Sequence, residues 1–208
     1  MLTEAKKKLA LGLFDIGAIK FGAFRLKLHE KNPDAPLSPI YIDLRVLRSF
    51  PEVMDSAIEV YKELTSGLKF DCYADVPTAA TPIVAILSHD TRIPMISPRK
   101  EEKKHGIKRP IDGAFKEEQV ALLVDDLITL ADSKLEAISV LEENNLKVHD
   151  VVVLVDREQG GVQELEKRGY TCHVVFKLKE LLTFYLEMAK ISQDEYQRTI
   201  TYLDSAQT

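Results

Sequence analysis

Val120-Ala121-Leu122-Leu123-Val124-Asp125-Asp126-Leu127-Ile128-Thr129-Leu130-Ala131-Asp132-Ser133 is the stretch on which the fold turns. An unbroken apolar run, Val120–Val124, ends at two adjacent carboxylates, and a helical pattern over Ser133–Asn144 follows. Val151–Val155 repeats that apolar character. Strands that are apolar at every position are buried on both faces, as in a parallel sheet covered by helices. Further along the chain come a helix over Val162–Arg168, a strand over Thr171–Phe176, and helices over Leu178–Ala189 and Gln193–Tyr202. On the other side, a helix over Phe50–Gly67 leads to a strand at Phe70–Ala74, a helix at Pro82–His89 and a strand at Ile93–Ser97. Alternating units of this kind predict an α/β fold, an open and mostly parallel twisted sheet with helices on both faces. The first 12 residues read as a helix, and Ile40–Val46 alternates like a half-buried strand.

The chain has 208 residues, which suits one domain. It is 45% hydrophobic and 29% charged, enough for a core and a hydrated surface. A net charge of −5 argues against a nucleic-acid-coating surface. No apolar run approaches the roughly 20 residues of a membrane span. The N-terminus does not read as a signal peptide. Cys72 and Cys172 sit in separate apolar runs and are expected to be buried thiols of a reducing, cytoplasmic protein.

Ligands of open α/β sheets bind beyond the carboxyl ends of the strands, so the segments after each strand carry the candidates. Asp125 and Asp126 are costly at a buried strand end unless sugar hydroxyls or a cation offset their charge. Thr129 and Ser133 flank a helix start, where backbone N–H groups and the helix dipole favour phosphate. The alternative is an ordinary strand end with a capped helix. Pro98–Pro110 holds six Lys or Arg among thirteen residues, a basic loop suited to a polyanion or else a solvated charged loop. Asp156-Arg157-Glu158-Gln159-Gly160-Gly161 offers a guanidinium fork for a planar carboxylate or imide, or a plain Asp–Arg pair with a glycine turn. Lys27 stands alone in an apolar stretch and either reaches a ligand or snorkels to solvent. The histidines and cysteines show no metal-ligand spacing.

Together these segments resemble the orotate phosphoribosyltransferases, especially the type that forms the N-terminal half of bifunctional UMP synthases. The resemblance covers nearly the whole chain. It rests on Leu13–Gly22, Ser38–Arg45, Ile93-Pro94-Met95, Arg99-Lys100-Glu101 with Lys103 and Gly106, and Asp156–Gly161. It implies the type I phosphoribosyltransferase fold, with a small hood segment at about 1–48 and an α/β core at about 49–208 of a single domain, 1–208. It implies transfer of ribose 5-phosphate from PRPP to orotate, giving orotidine 5′-monophosphate and pyrophosphate in pyrimidine biosynthesis.

By the same resemblance Lys103, Asp125 and Asp126 are the catalytic residues. Lys27, Arg99, Lys100, Lys103, His105, Asp125, Asp126, Thr129 and Ser133 bind PRPP. Tyr41, Thr129 and Arg157 serve orotate. Mg²⁺ is carried by PRPP rather than ligated by side chains. A homodimer is implied, with loop 99–109 completing the neighbouring site.

The chain departs from the family pattern at two turns. Ala131 stands where the 5′-phosphate loop usually has glycine, and a Cβ there limits positive φ. Asp132 adds a negative charge beside the expected phosphate. Asp75 replaces a glycine in the turn after Phe70, and Thr78-Ala79 replaces a larger pair. These departures predict weak PRPP binding and leave open a second reading, a weak or inactive homologue with a nucleotide-binding or regulatory role.

Overall fold

The computed structural model describes residues 2–25, 28–99 and 110–205. Lys27, Lys100, Lys103 and His105 lie outside the described residues.

Helix α1, Glu4–Asp15, starts at Thr3, whose hydroxyl accepts from the Lys6 N–H. Strands β1, Ile19–Phe24, and β2, Ser38–Ile42, form a separate antiparallel pair, with the short helix α2, Leu28–Lys31, between them. A strand was expected to continue to Val46, but the chain leaves it at Ile42 and winds Leu44–Ser49 into a 3₁₀ turn. Asp43 causes the switch, because its carboxylate caps the turn by accepting from the Arg45 N–H.

The core then alternates as expected. Helix α3 is Pro51–Thr65, β3 Cys72–Asp75, α4 Thr81–Thr91, β4 Met95–Pro98 and β5 Ile111–Asp112. Next come β6, Val120–Ile128; α5, Asp132–Glu143; β7, Lys147–Asp156; and α6, Gly161–Lys167. Strand β8, Thr171–Lys177, α7, Leu178–Glu187, and α8, Gln193–Ser205, close the described chain. Among the described residues the central sheet runs β5-β4-β3-β6-β7-β8, parallel throughout except for β5.

Apolar residues on the two faces of the sheet build two clusters. Leu122, Val124 and Leu154 meet Met54, Ala57 and Tyr61 of α3 and Ile83, Val84 and Leu87 of α4. Leu123, Val151 and Val153 meet Ala137, Ile138 and Leu141 of α5 and Leu165 of α6. Ile19 and Ile40 of the hairpin and Leu9 and Leu13 of α1 belong to the first cluster, so the N-terminal segment shares the core of the α/β unit. Tyr185 Oη donates to the Ala10 carbonyl at 2.7 Å and fastens α1 to α7.

After β3 the chain proceeds to β4 on one side, then returns to place β6 on the other. This reversal opens a crevice beyond the carboxyl ends of β3 and β6, where ligands of such sheets bind.

Candidate active site

Strand β6 runs four residues past Val124, because Leu127 and Ile128 find ladder partners in Val155 and Asp156 of β7. Asp125 and Asp126 therefore lie within a hydrogen-bonded strand rather than at its end. Their two carboxyl groups are close neighbours. Asp125 turns toward α5 and is 4% exposed. Its Oδ2 meets Lys134 Nζ at 2.5 Å, and its Oδ1 accepts from the Asp126 N–H at 2.9 Å. Lys134, also 4% exposed, donates in addition to the Leu127 carbonyl and, at 3.4 Å, to Ser133 Oγ. From the opposite face, Tyr61 Oη of α3 donates to the Asp125 carbonyl at 2.7 Å. Burial, with Asp126 and Asp125 nearby, holds the Tyr61 phenol well above its ordinary pKa.

Burial and then the Asp125 charge push the Asp126 carboxyl up to about 7, while Lys134 pulls it back. The group thus titrates near neutrality, a mark of functional sites.

The turn after β6 leads straight into α5. Ala131 has φ −82° and ψ −2°, an ordinary conformation for an L-residue. The strain expected from a Cβ at this position is therefore absent. Asp132 opens the first turn of α5, where a carboxylate is favourable toward the helix dipole. Leu130 projects from the turn, 58% exposed.

Two contacts hold this turn to the one after β7. The Arg157 N–H donates to the Ile128 carbonyl at 2.9 Å, and the Gly161 N–H donates to the Thr129 carbonyl at 3.1 Å. A Cβ at Gly161 would stand 2.7 Å from Ile128 Cγ1 and 2.8 Å from the Thr129 carbonyl oxygen, which is why the position is glycine. The Arg157 side chain is 6% exposed, and its Nε and Nη2 have no hydrogen-bond partner among the described residues. Burial lowers its pKa, opposed by the nearby Tyr202 phenol of α8. A desolvated guanidinium with two unused donors is built for an anion that arrives later.

After β3 the chain turns through Pro77–Thr78, whose peptide bond is cis. Asp75 is fully buried; its Oδ2 accepts from the Thr81 hydroxyl at the start of α4, and its Oδ1 has no partner among the described residues. Arg48 Nη2 donates to the Thr78 carbonyl at 3.3 Å.

The structure brings Asp125, Asp126, Thr129, Ser133 and Arg157 to adjoining ends of β6 and β7. Arg99, at the end of β4, pairs its guanidinium with Asp112 of β5 and lines one cavity with Ser133, Val76 and Pro77. Tyr41 lies on β2, its ring 5.6 Å from that of Phe24 and its hydroxyl accepting from Arg45 Nη2 at 3.1 Å. Among the described residues no three His, Cys, Asp or Glu side chains converge as a metal cluster. Sequence reasoning missed Lys134 and Tyr61. Lys134 did leave a signal, since it falls on the buried stripe of α5 with Ala137, Ile138 and Leu141.

No protein-family model matches the chain. It is 36% identical over 197 residues to the uridine 5′-monophosphate synthase of Bos taurus, covering 94% of this chain and 40% of that protein. It is 35% identical over 192 residues to the orotate phosphoribosyltransferase of Pyrobaculum aerophilum, covering 92% of this chain and 95% of that one. The UMP synthase structure of Leishmania donovani superposes with a TM-score of 0.85 at 34% identity, over 97% of this chain and 42% of that one. The orotate phosphoribosyltransferase structure from Aeropyrum pernix gives 0.75 at 27% identity, over 88% and 99%. The chain thus spans about two fifths of the two UMP synthases, and nearly the full length of the two stand-alone enzymes.

Proposed function

The chain belongs to the orotate phosphoribosyltransferase family, and from that premise we propose that it transfers ribose 5-phosphate from PRPP to orotate, releasing pyrophosphate. The bond from ribose C1 to the pyrophosphate oxygen breaks as a bond from C1 to a ring nitrogen of orotate forms. Positive charge develops on the ribose, and negative charge leaves with pyrophosphate. Asp126 takes the ribose hydroxyls at the β6 rim. The Thr129–Ser133 turn, with the N-terminus of α5 behind it, receives the 5′-phosphate. Arg157 takes the orotate carboxylate, with Thr129 and Tyr41 completing the base site.

Arg157 is the observation that carries this reading. Its buried, unspent donors match a planar anionic base and would be wasted on a neutral one.

The remaining assignments rest on the sequence resemblance. Lys103 assists pyrophosphate departure, with Lys27, Arg99, Lys100 and His105 around PRPP. A divalent cation, Mg²⁺, accompanies PRPP and offsets the pyrophosphate charge. The protein works as a cytoplasmic homodimer in which residues 99–109 serve the neighbouring site.

The reading is tested by mixing the purified chain with PRPP, Mg²⁺ and either orotate or uracil, and following base absorbance and pyrophosphate release. Stoichiometric loss of orotate and release of pyrophosphate, with uracil untouched, is the expected result. A folded chain that consumes neither base at millimolar substrate would overturn it.

A further inference from the structure

The proposed reaction leaves one buried cation without a role. Lys134 is enclosed between α5 and the end of β6, and its ammonium touches Asp125 Oδ2, the Leu127 carbonyl and Ser133 Oγ. A lysine this deeply enclosed is rare unless its charge is paired. All three of its contacts belong to the strand end and turn that would hold ribose and phosphate. Both oxygens of Asp125 are spent inside the protein, one on Lys134 and one on the Asp126 N–H. The Asp125 backbone is gripped from the other face by Tyr61. Asp125 is therefore anchored inside the protein, directly beside Asp126.

We propose that Lys134 is a positioning residue for the transfer reaction: pinned to Asp125 from beneath, it fixes the rim of β6 so that Asp126 is the acid that meets the ribose hydroxyls. Lys134 acts through Asp125, which passes its orientation to the Asp126 backbone. Lys134 also places a positive charge under the Ser133 end of the phosphate turn, opposite in sign to Asp132. The inference rests on the proposed orotate activity.

The charged and titratable groups around Asp126 are Asp125 on its own strand, Lys134 from α5 and Tyr61 from α3. Asp75 of β3 shares its face of the sheet through the Asp75–Val124 register, and Asp156 and Arg157 end β7 alongside. Of these, Lys134 is the cation that counters Asp125 in the titration of Asp126. Its removal therefore carries a signature in pH that a packing defect lacks.

The experiment compares steady-state kinetics from pH 6 to 9 for the wild type, Lys134→Met, Lys134→Arg and the doubly neutral Asp125→Asn/Lys134→Met, with circular dichroism on each. Lys134→Met is expected to lower kcat/KM for PRPP by about tenfold or more and to move the acid limb of the profile upward by at least about half a pH unit. The double variant, which has no unpaired buried charge, is expected to return the limb. Lys134→Arg is expected to keep the limb in place. An unmoved limb in Lys134→Met would overturn the inference. So would a double variant that folds yet keeps the limb displaced as far as Lys134→Met does. If Lys134→Met does not fold, the double variant and Lys134→Arg decide by the same outcomes. A wild type without turnover would sink the orotate reading and this inference together; an active wild type with either contrary result sinks the inference alone.

Discussion

The backbone N–H of Gly161 donates to the carbonyl of Thr129 at 3.1 Å and ties the turn after β7 to the turn after β6. The first turn carries the proposed base anchor, Arg157, and the second the proposed phosphate turn. Their spacing is set by backbone, and by the absence of a side chain at residue 161. Gly161→Ala would drive a Cβ to 2.7 Å from Ile128 Cγ1 and 2.8 Å from the Thr129 oxygen. Neither neighbour is the free end of a flexible chain, so the two turns must separate. Overpacking of this kind costs about 1–3 kcal/mol. Thermal unfolding should show that loss, and KM for PRPP and for orotate should rise together. An increase confined to one substrate would show that the turns do not move as a pair.

Arg157 carries an opposite trade between stability and activity. Its guanidinium is buried with Nε and Nη2 unpartnered among the described residues, and burial lowers its pKa. An unpaired buried polar group costs about 1–3 kcal/mol, more when charged. Arg157→Met should therefore raise the melting temperature of the ligand-free chain by a few degrees. The same change should lower kcat/KM for orotate by roughly a hundredfold, the worth of a charge-assisted bond of about 3 kcal/mol. Calorimetry and steady-state kinetics on one preparation measure both. A variant that loses stability would show that the empty guanidinium is satisfied in a way its surroundings do not reveal.

The sheet and most of its helices were legible in the sequence because Val120–Val124 and Val151–Val155 are apolar at every position and periodic helices separate them. The small elements were not. Ile111–Asp112 is a strand through two ladder partners on β4, which no short-range pattern encodes. Leu44–Val46 reads as the end of a strand because it continues the alternation of Ile40–Asp43, and Asp43 acts as a cap only once the chain has bent. At the site, residue types were legible and their commitments were not. Asp125 and Asp126 look equivalent as a pair, yet Asp125 spends both oxygens inside the protein, on Lys134 and the Asp126 N–H. Arg99 reads as a phosphate ligand, and its pairing with Asp112, thirteen residues later, leaves no mark in the sequence. Ala131 reads as strained because a glycine is usual there, yet the turn needs no positive φ. The β5 ladder and the pairings of Asp125 and Arg99 depend on residues further along the chain, whereas the Asp43 cap and the Ala131 turn are local conformations.

Tyr61 offers a test of how firmly the rim must be held. Its hydroxyl donates at 2.7 Å to the Asp125 carbonyl from the face opposite Lys134, and its ring is fully buried. Tyr61→Phe keeps the packing and removes one donor. A buried hydrogen bond lost in this way costs about 1–2 kcal/mol. Urea unfolding should show a lower midpoint with an unchanged slope. KM for PRPP should rise a few-fold, more than KM for orotate, because the donated bond it loses is to β6. Equal increases for both substrates would place the effect in the sheet as a whole.

Asp126 gives the fold a pH dependence whose sign can be worked out. Its folded-state pKa is pushed up to about 7 from 3.8, first by burial and then by Asp125, against the pull of Lys134. The folded chain therefore binds this proton more tightly than the unfolded chain. Between about pH 4 and pH 7 the native state holds more protons, so this group's contribution to stability is full below the unfolded value and declines as pH rises through the folded one. Asp126→Asn removes the titration. Its melting temperature relative to wild type should climb across that window and level off above it. Activity should run the other way, because a carboxylate accepts a ribose hydroxyl better than the protonated acid does. Wild-type kcat/KM for PRPP should rise with pH to a plateau just above 7, and Asp126→Asn should be low and flat in the same range. If the stability difference stays constant from pH 4 to 8, Asp126 titrates like a surface carboxylate. The activity limb would then belong to another group.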